Sequence, residues 1–116
     1  MLKYFKSIIE QDICPIVICN TNHEIIYINK TAAERYSKSG GYDLVGKSIL
    51  ECHNKQSNEK IKKVLEWFKE SVENNRIFTY HNPKENKDVY MIALRDENEN
   101  LIGYYEKHEY RTPEKN

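Results

Sequence analysis

The chain has 116 residues, enough for one compact domain with a modest core and too few for two. Lys and Arg together number 18, as do Asp and Glu, so the formal net charge is zero and no overall field favours nucleic acid or an acidic membrane surface. The three cysteines show no CxxC spacing, the N-terminus lacks the apolar run of a signal peptide, and no apolar stretch approaches the roughly 20 residues that span a bilayer. We therefore expect a soluble cytoplasmic domain without nucleic-acid or membrane partners.

The first segment has the pattern of an amphipathic helix. Its apolar side chains recur at helical spacing, at Leu2, Phe5, Ile9 and Ile13. A helix over residues 1–13 presents one apolar stripe, which could form a dimer interface or pack on the chain's own sheet. Pro15 then ends the helix.

The next segment has the pattern of a β-hairpin. Residues 16–19 are apolar and largely β-branched, residues 20–23 are turn-forming, and residues 24–29 are β-rich again. His23 falls in the predicted loop, where we expect it to be solvated. Asn29 is a good N-cap for a short helix beginning near Lys30, which ends by Gly40 and Gly41.

The longest helix is predicted in the middle of the chain. Ser57 or Asn58 can cap it, and its apolar positions repeat at i, i+4, i+7 and i+11, at Ile61, Leu65, Phe68 and Val72. Residues 76–80, 88–95 and 101–105 then read as three strands separated by polar turns. This order of elements predicts an α+β domain built on an antiparallel sheet.

Several short motifs stand in the order found in the PAS sensory domain family, which the chain resembles from about residue 5 to residue 108. One motif consists of a hydrophobic strand, a polar turn, a second strand that ends in Asn and a helix with small residues. It is matched by Ile16 to Cys19, the turn at residues 20–23, the strand that ends in Asn29, and Ala32 and Ala33. Two others are matched at Gly41, Tyr42, Leu44 and Gly46 and, loosely, at Asp96, Leu101 and Gly103. The resemblance implies a five-stranded antiparallel sheet with short helices and one long helix packed on one face. It divides the chain into an N-terminal helix (1–13), a PAS core (14–109) and a polar tail (110–116).

A finer resemblance concerns the entrance of the long helix. Cys52, His53 and Ser57 are similar to the Cys-His-Pro-Pro-Lys-Ser stretch of PAS domains appended to hemerythrin-like proteins, although Asn54 replaces the first proline. Cys52 and His53 are adjacent, so in an extended segment they point to opposite sides and form no nucleophile–base pair. We recognise no catalytic pattern and no zinc-binding spacing, and we expect no enzymatic activity.

The resemblance implies an internal pocket between the sheet and the long helix that can hold a small ligand or cofactor. Haem is the favoured named candidate, because the imidazole of His53 could ligate its iron; the alternative is that His53 only packs at the helix start. The predicted ligand-binding residues are His53, Cys52, Ile61, Leu65, Phe68, Tyr27, Tyr90 and Ile92. We expect exposure for His81 and His108, which fall near strand ends.

Two functions remain open at this point. One is a sensory module that binds a ligand in its pocket and signals through a conformational or oligomeric change. The other is a ligand-free module for protein interaction, which forms a homodimer through its N-terminal helix. The residues do not specify the downstream effector.

Overall fold

A computed structural model describes residues 1–113. These residues form three helices and five strands: α1 (Leu2–Glu10), β1 (Val17–Asn20), β2 (Ile25–Ile28), α2 (Lys30–Arg35), α3 (Lys55–Glu70), β3 (Arg76–Asn82), β4 (Lys87–Arg95) and β5 (Leu101–Tyr110). Three short 3₁₀ helices, at Ser37–Ser39, Gly41–Leu44 and Ile49–Cys52, connect α2 to α3. The predicted five-stranded antiparallel sheet, with its long helix and N-terminal helix, is confirmed.

The strands lie in the order β2-β1-β5-β4-β3, and every neighbouring pair is antiparallel. Strand β5 is therefore the centre of the sheet, and its residues alternate between the two faces. Tyr104 faces the helices and is buried, whereas Tyr105 lies on the opposite, uncovered face beside Ile18 and Ile92. This alternation decides which side chains of β5 can reach the interior.

The core lies between the helix-covered face of the sheet and α3. From α3, Ile61, Val64, Leu65 and Phe68 are buried, and Phe68 has no exposed surface. They pack with buried side chains of the sheet and of α2, namely Cys19, Ile25, Ile28, Ala32, Ala33, Met91 and Tyr104. The predicted apolar stripe of α3 thus forms one wall of the interior.

Several boundaries differ from the predicted ones. Helix α1 ends at Glu10 because the chain turns before Pro15. Helix α3 begins earlier than predicted, because its N-cap is Asn54 and not Ser57 or Asn58. The Asn54 side chain accepts a hydrogen bond from the Ser57 amide. Val72 lies beyond α3 and is 51% exposed.

The C-terminal boundary also shifts. Strand β5 continues to Tyr110 rather than ending at residue 105, because it pairs with β4 along the whole length of that strand. The predicted polar tail began at this residue, and residues 114–116 of it lie outside the described part of the chain.

Candidate functional site

Two adjoining cavities lie between the sheet and the segment that leads into α3. The first has a volume of about 170 Å³ and is lined by Pro15, Val17, Cys19, Ile25, Tyr36, Ser39, Leu44, Ile49, Cys52, His53, Ile61, Tyr104, Glu106 and His108. The second, of about 160 Å³, extends along α3 towards β3 and is lined by His53, Ser57, Lys60, Ile61, Thr79, Tyr80, Met91 and Glu106. His53, Ile61 and Glu106 border both cavities, so these three residues stand where the two meet.

Strand β5 supplies the polar groups of the first cavity. Every second residue of this segment faces the cavity, because successive side chains of a strand point to opposite faces of the sheet. These residues are Tyr104, Glu106 and His108. Sequence reasoning missed Glu106 and His108 because the strand was expected to end at residue 105. The sequence gives no signal here, since Glu106-Lys107-His108-Glu109 is polar throughout and shows no alternation of apolar and polar side chains.

Glu106 is half-buried, and no hydrogen bond reaches its carboxyl from any of the residues 1–113. Burial raises the pKa of this carboxyl, an effect that the charges of His53 and Lys87 partly offset. Lys87 is fully buried and forms an ion pair with Glu85 at 3.2 Å, although its Nζ atom makes no hydrogen bond within residues 1–113. Glu106 is therefore an acidic group placed beside a cavity without a partner of its own.

His108 is the second polar group without a partner in this wall. Its Nδ1 atom is buried and makes no hydrogen bond within residues 1–113. Burial, together with the positive charges of Lys87 and Arg35, lowers the pKa of His108 to about 4, so the ring is neutral at physiological pH. The expectation that this histidine is exposed near a strand end is wrong, because the strand continues past it and turns the ring inwards.

His53 is positioned by the turn that precedes α3. Its Nδ1 atom lies 2.9 Å from the carbonyl oxygen of Ile49. A carbonyl oxygen only accepts, so Nδ1 carries the hydrogen, and in the neutral form of the ring the Nε2 atom keeps its lone pair. Asn58 holds the same turn by donating to the Leu50 carbonyl oxygen at 2.7 Å. Cys52 also lines the first cavity but is exposed.

His23 contacts Tyr104, which lines the first cavity. The Nδ1 atom of His23 shares a hydrogen bond of 2.7 Å with the Tyr104 hydroxyl, and the two rings meet edge to face at 5.7 Å. His23 is thus half-buried rather than simply solvated, because its ring packs against Tyr104. Cys19 lies beside Tyr104, and burial raises the pKa of its thiol to about 12, which makes it unreactive.

The other predicted ligand-binding residues lie in different places. Leu65 and Phe68 are buried in the core behind Ile61 and do not border either cavity. Tyr90 and Ile92 lie on the uncovered face of the sheet, where Tyr90 packs under the Arg76 guanidinium at 4.0 Å from its ring centre. The Tyr27 hydroxyl donates to Glu10 of α1. Of the predicted set, therefore, only His53, Cys52 and Ile61 line the first cavity.

Haem ligation by His53 stays a prediction. The first cavity, of about 170 Å³, is smaller than a haem macrocycle, whereas the contact of His53 Nδ1 with the Ile49 carbonyl oxygen is one that metal-bound histidines commonly make. Within residues 1–113 no three His, Cys, Asp or Glu side chains converge in a group that could hold a metal ion. The cavity instead has the size of one that holds a single six-membered ring.

Comparisons with known proteins place this geometry in a family. A family model described as PAS domain matches residues 13–106. No curated protein matches the chain significantly.

Three solved structures illustrate the likeness. A C-terminal domain from Streptococcus mutans has a TM-score of 0.71 at 20% identity, with 94% of this chain and 84% of that chain covered. A PAS domain from Colwellia psychrerythraea has a TM-score of 0.69 at 15% identity and coverages of 94% and 95%. A sensory box sensor histidine kinase from Vibrio cholerae has a TM-score of 0.54 at 15% identity and coverages of 96% and 92%. At these identities the likeness concerns the fold. Among residues 1–113, no helix combines the length and the apolar character needed to cross a membrane.

Proposed function

The chain belongs to the PAS domain family, a family of sensory and signalling domains that are in general not enzymes, and from this premise we propose that it senses a compact ligand in its internal cavity. The same proposal places it in the cytoplasm, because its three cysteines have no paired spacing. The finer likeness to PAS domains of hemerythrin-like proteins rests only on Cys52, His53 and Ser57.

The observation that supports this proposal is the pair of unpartnered polar groups in the cavity wall. An unpaired buried polar group costs free energy, and a native fold normally satisfies such groups with protein or bound molecules. The His108 Nδ1 atom is buried and unpaired within residues 1–113, and the half-buried Glu106 carboxyl, which also has no hydrogen bond from these residues, faces the same cavity. A ligand with complementary groups would satisfy both at once.

A route from this cavity to the N-terminal helix is provided by the hairpin β1–β2. Tyr27 donates to Glu10, and Asn29 donates to the Ile9 carbonyl oxygen at 2.9 Å, so the end of α1 is tied to β2. Val17 and Cys19 of the neighbouring strand line the cavity. A ligand that binds one arrangement of this hairpin more tightly than another would shift α1 by that difference in affinity.

A first prediction tests whether the cavity accepts a ring-sized molecule. Phenol is a suitable probe, since it combines a six-membered ring with a hydrogen-bond donor. We expect saturable changes in the amide NMR signals of Cys19, Ile25 and Tyr104 when phenol is added. Val17→Phe should abolish these changes, because the larger ring fills the cavity from β1.

Ile18→Phe is the matched control, since Ile18 is the next residue of β1 and lies on the uncovered face beside Tyr105. It adds the same ring outside the cavity and should leave phenol binding unchanged. Denaturant unfolding of both variants shows that each remains folded. Binding that persists in folded Val17→Phe, or no change at the three amides in the parent protein, would contradict the proposed ligand site.

A second candidate function, homodimerisation through α1, is favoured by a separate observation. No residue of α1 is buried, and Leu2, Phe5 and Ile8 are 83%, 55% and 62% exposed on its apolar side. Exposed apolar stripes of this kind are typical of protein interfaces. We propose that a second copy of the chain covers this stripe.

A second prediction addresses this interface. Leu2→Asp combined with Phe5→Asp should convert a dimer to a monomer, because two carboxylates would have to be buried between helices. Sedimentation equilibrium measures the change. Lys3→Asp is the control, since Lys3 lies off the stripe and alters charge without removing apolar surface. A parent protein that is monomeric throughout the micromolar range would rule out this function.

A further inference from the structure

The charged groups around the first cavity are of one sign. Among the fourteen described residues that line it, Glu106 carries the only carboxyl group, and none is Lys or Arg. Lys87 is buried and forms an ion pair with Glu85 at 3.2 Å, but it is not among the residues that line this cavity. An anionic ligand would therefore meet a carboxyl group and no free cation, whereas a cationic ligand would meet a counter-ion.

Three polar side chains of the wall can act as acceptors, whereas the hydroxyls of Tyr36, Ser39 and Tyr104 and the thiol of Cys52 can donate as well as accept. His53 donates its Nδ1 hydrogen to the Ile49 carbonyl oxygen, and in its neutral form it offers the Nε2 lone pair. Neutral His108 has one nitrogen without a hydrogen, and its Nδ1 atom has no partner within residues 1–113. Together with the Glu106 carboxylate, these rings provide up to three acceptors around one space.

A primary ammonium group matches this arrangement. It carries three N–H donors, no acceptor and one positive charge. A carboxylate has the opposite character, since it offers only acceptors. A neutral hydroxyl could satisfy one acceptor and would leave the charge of Glu106 unpaired.

The rest of the wall limits the size and polarity of the ligand. Pro15, Val17, Ile25, Leu44, Ile49 and Ile61 form an apolar surface opposite the polar side chains of β5. A volume of about 170 Å³ is slightly larger than the 150 Å³ cavity known to hold benzene, so one ring with a short substituent fits.

From these observations we propose that the ligand of the cavity is a compact primary amine with a ring-sized apolar body, whose ammonium group pairs with Glu106 and donates to His53 and His108. This inference rests on the proposed function, because it assumes that the cavity holds a ligand. It adds the chemical class of that ligand.

Three probes of equal size test the inference by isothermal titration calorimetry: benzylamine, benzyl alcohol and benzoate. They carry the same ring with a cationic, a neutral and an anionic substituent. We expect benzylamine to bind at least tenfold more tightly than either of the other two. Glu106→Gln, which keeps the shape of the side chain and removes its charge, should weaken benzylamine binding by about 10- to 100-fold.

Glu109→Gln is the matched control, since Glu109 lies on the same strand but pairs with Arg76 at 3.1 Å on the uncovered face. It should leave the affinity for benzylamine unchanged. Circular dichroism confirms that both variants are folded. If the affinity for benzylamine falls in Glu106→Gln and not in Glu109→Gln, the ammonium group binds at the Glu106 carboxyl.

The failures of the two proposals can be told apart. Tighter binding of benzyl alcohol or benzoate would overturn the amine and leave the cavity as a ligand site. Unchanged benzylamine affinity in folded Glu106→Gln would overturn the pairing with Glu106. If benzylamine does not bind while phenol does, the amine inference falls and the proposed function stands; if neither probe reaches the cavity, both fall.

Discussion

Gly103→Ala is expected to lower the free energy of unfolding by about 3 kcal/mol or more, a large part of the total stability of a small domain. Gly103 lies in the central strand β5, opposite Asn20 of β1 and Leu94 of β4. A Cβ atom on this residue would overlap the Cys19 carbonyl oxygen and would lie 3.2 Å from the carbonyl carbon of Cys19 and 3.3 Å from the Cα atom of Asn20. The obstacle is backbone, which cannot change rotamer to make room.

The strain would have to be relieved by separating β1 from β5. That pair is held by only three residue positions, which place Ile18 opposite Tyr105, Cys19 opposite Tyr104 and Asn20 opposite Gly103. Shifting β1 would therefore also displace Val17 and Cys19 from the cavity wall. We expect Gly103→Ala to unfold at a much lower urea concentration than the parent protein. We also expect the folded fraction of this variant to have lost phenol binding.

The control is Ile102→Ala, one residue earlier on the same strand. Ile102 is 52% exposed, so its truncation should change the free energy of unfolding by less than about 1 kcal/mol. Equal urea midpoints for Gly103→Ala and the parent protein would mean that β1 can move away from β5 without cost, and the close approach described here would be wrong.

The elements most readily predicted from the sequence are those whose local pattern agrees with their final environment. Ile61, Leu65 and Phe68 repeat at helical spacing because α3 buries one side, and that spacing is visible in the chain. Asn29 follows a strand and precedes two small residues, which indicates a helix cap, and its side chain does accept from the Ala32 amide. In both cases one local rule determines the outcome.

The candidate site was less predictable because it depends on pairing between distant segments. Glu106 and His108 are weak strand formers and read as polar surface, yet pairing with β4 carries β5 past them and directs both inwards. Conversely, Tyr90 and Ile92 read as pocket residues, but which face of β4 they occupy is set by the register with β3 and β5. A shift of one residue would exchange the two faces, and the sequence alone does not specify that register.

Asn29 illustrates the same limit, because its predicted role as a cap is only part of what it does. The residue is fully buried, and its side chain makes four hydrogen bonds. Its Oδ1 atom accepts from the amides of Ala32 and Ile16, at 2.9 and 3.0 Å. Its Nδ2 atom donates to the carbonyl oxygens of Ile9 and Cys14, at 2.9 and 3.1 Å.

Asn29→Asp is expected to lower the free energy of unfolding by about 3–5 kcal/mol. The substitution keeps an oxygen that can accept from Ala32 and Ile16, so α2 retains its cap. It replaces the donating amino group by a second oxygen that faces the carbonyl oxygens of Ile9 and Cys14, and a buried negative charge without a donor is strongly unfavourable. Urea unfolding at neutral pH measures the loss.

Hydrogen exchange distinguishes the loss of the bonds that Asn29 donates from a general weakening of the α2 cap, because the two affect different helices. Hydrogen exchange should accelerate in α1 of Asn29→Asp, because the bond to Ile9 is one of its ties to the domain, while α2 amides should remain comparatively protected. Asn54→Ala is the control: Asn54 is an exposed cap with a single bond to the Ser57 amide at 2.8 Å, and its loss should cost about 1 kcal/mol without effect on α1. Unchanged exchange of α1 in Asn29→Asp would show that this asparagine does not couple the helix to the sheet, and the route from cavity to α1 would then depend on the bond from Tyr27 to Glu10 alone.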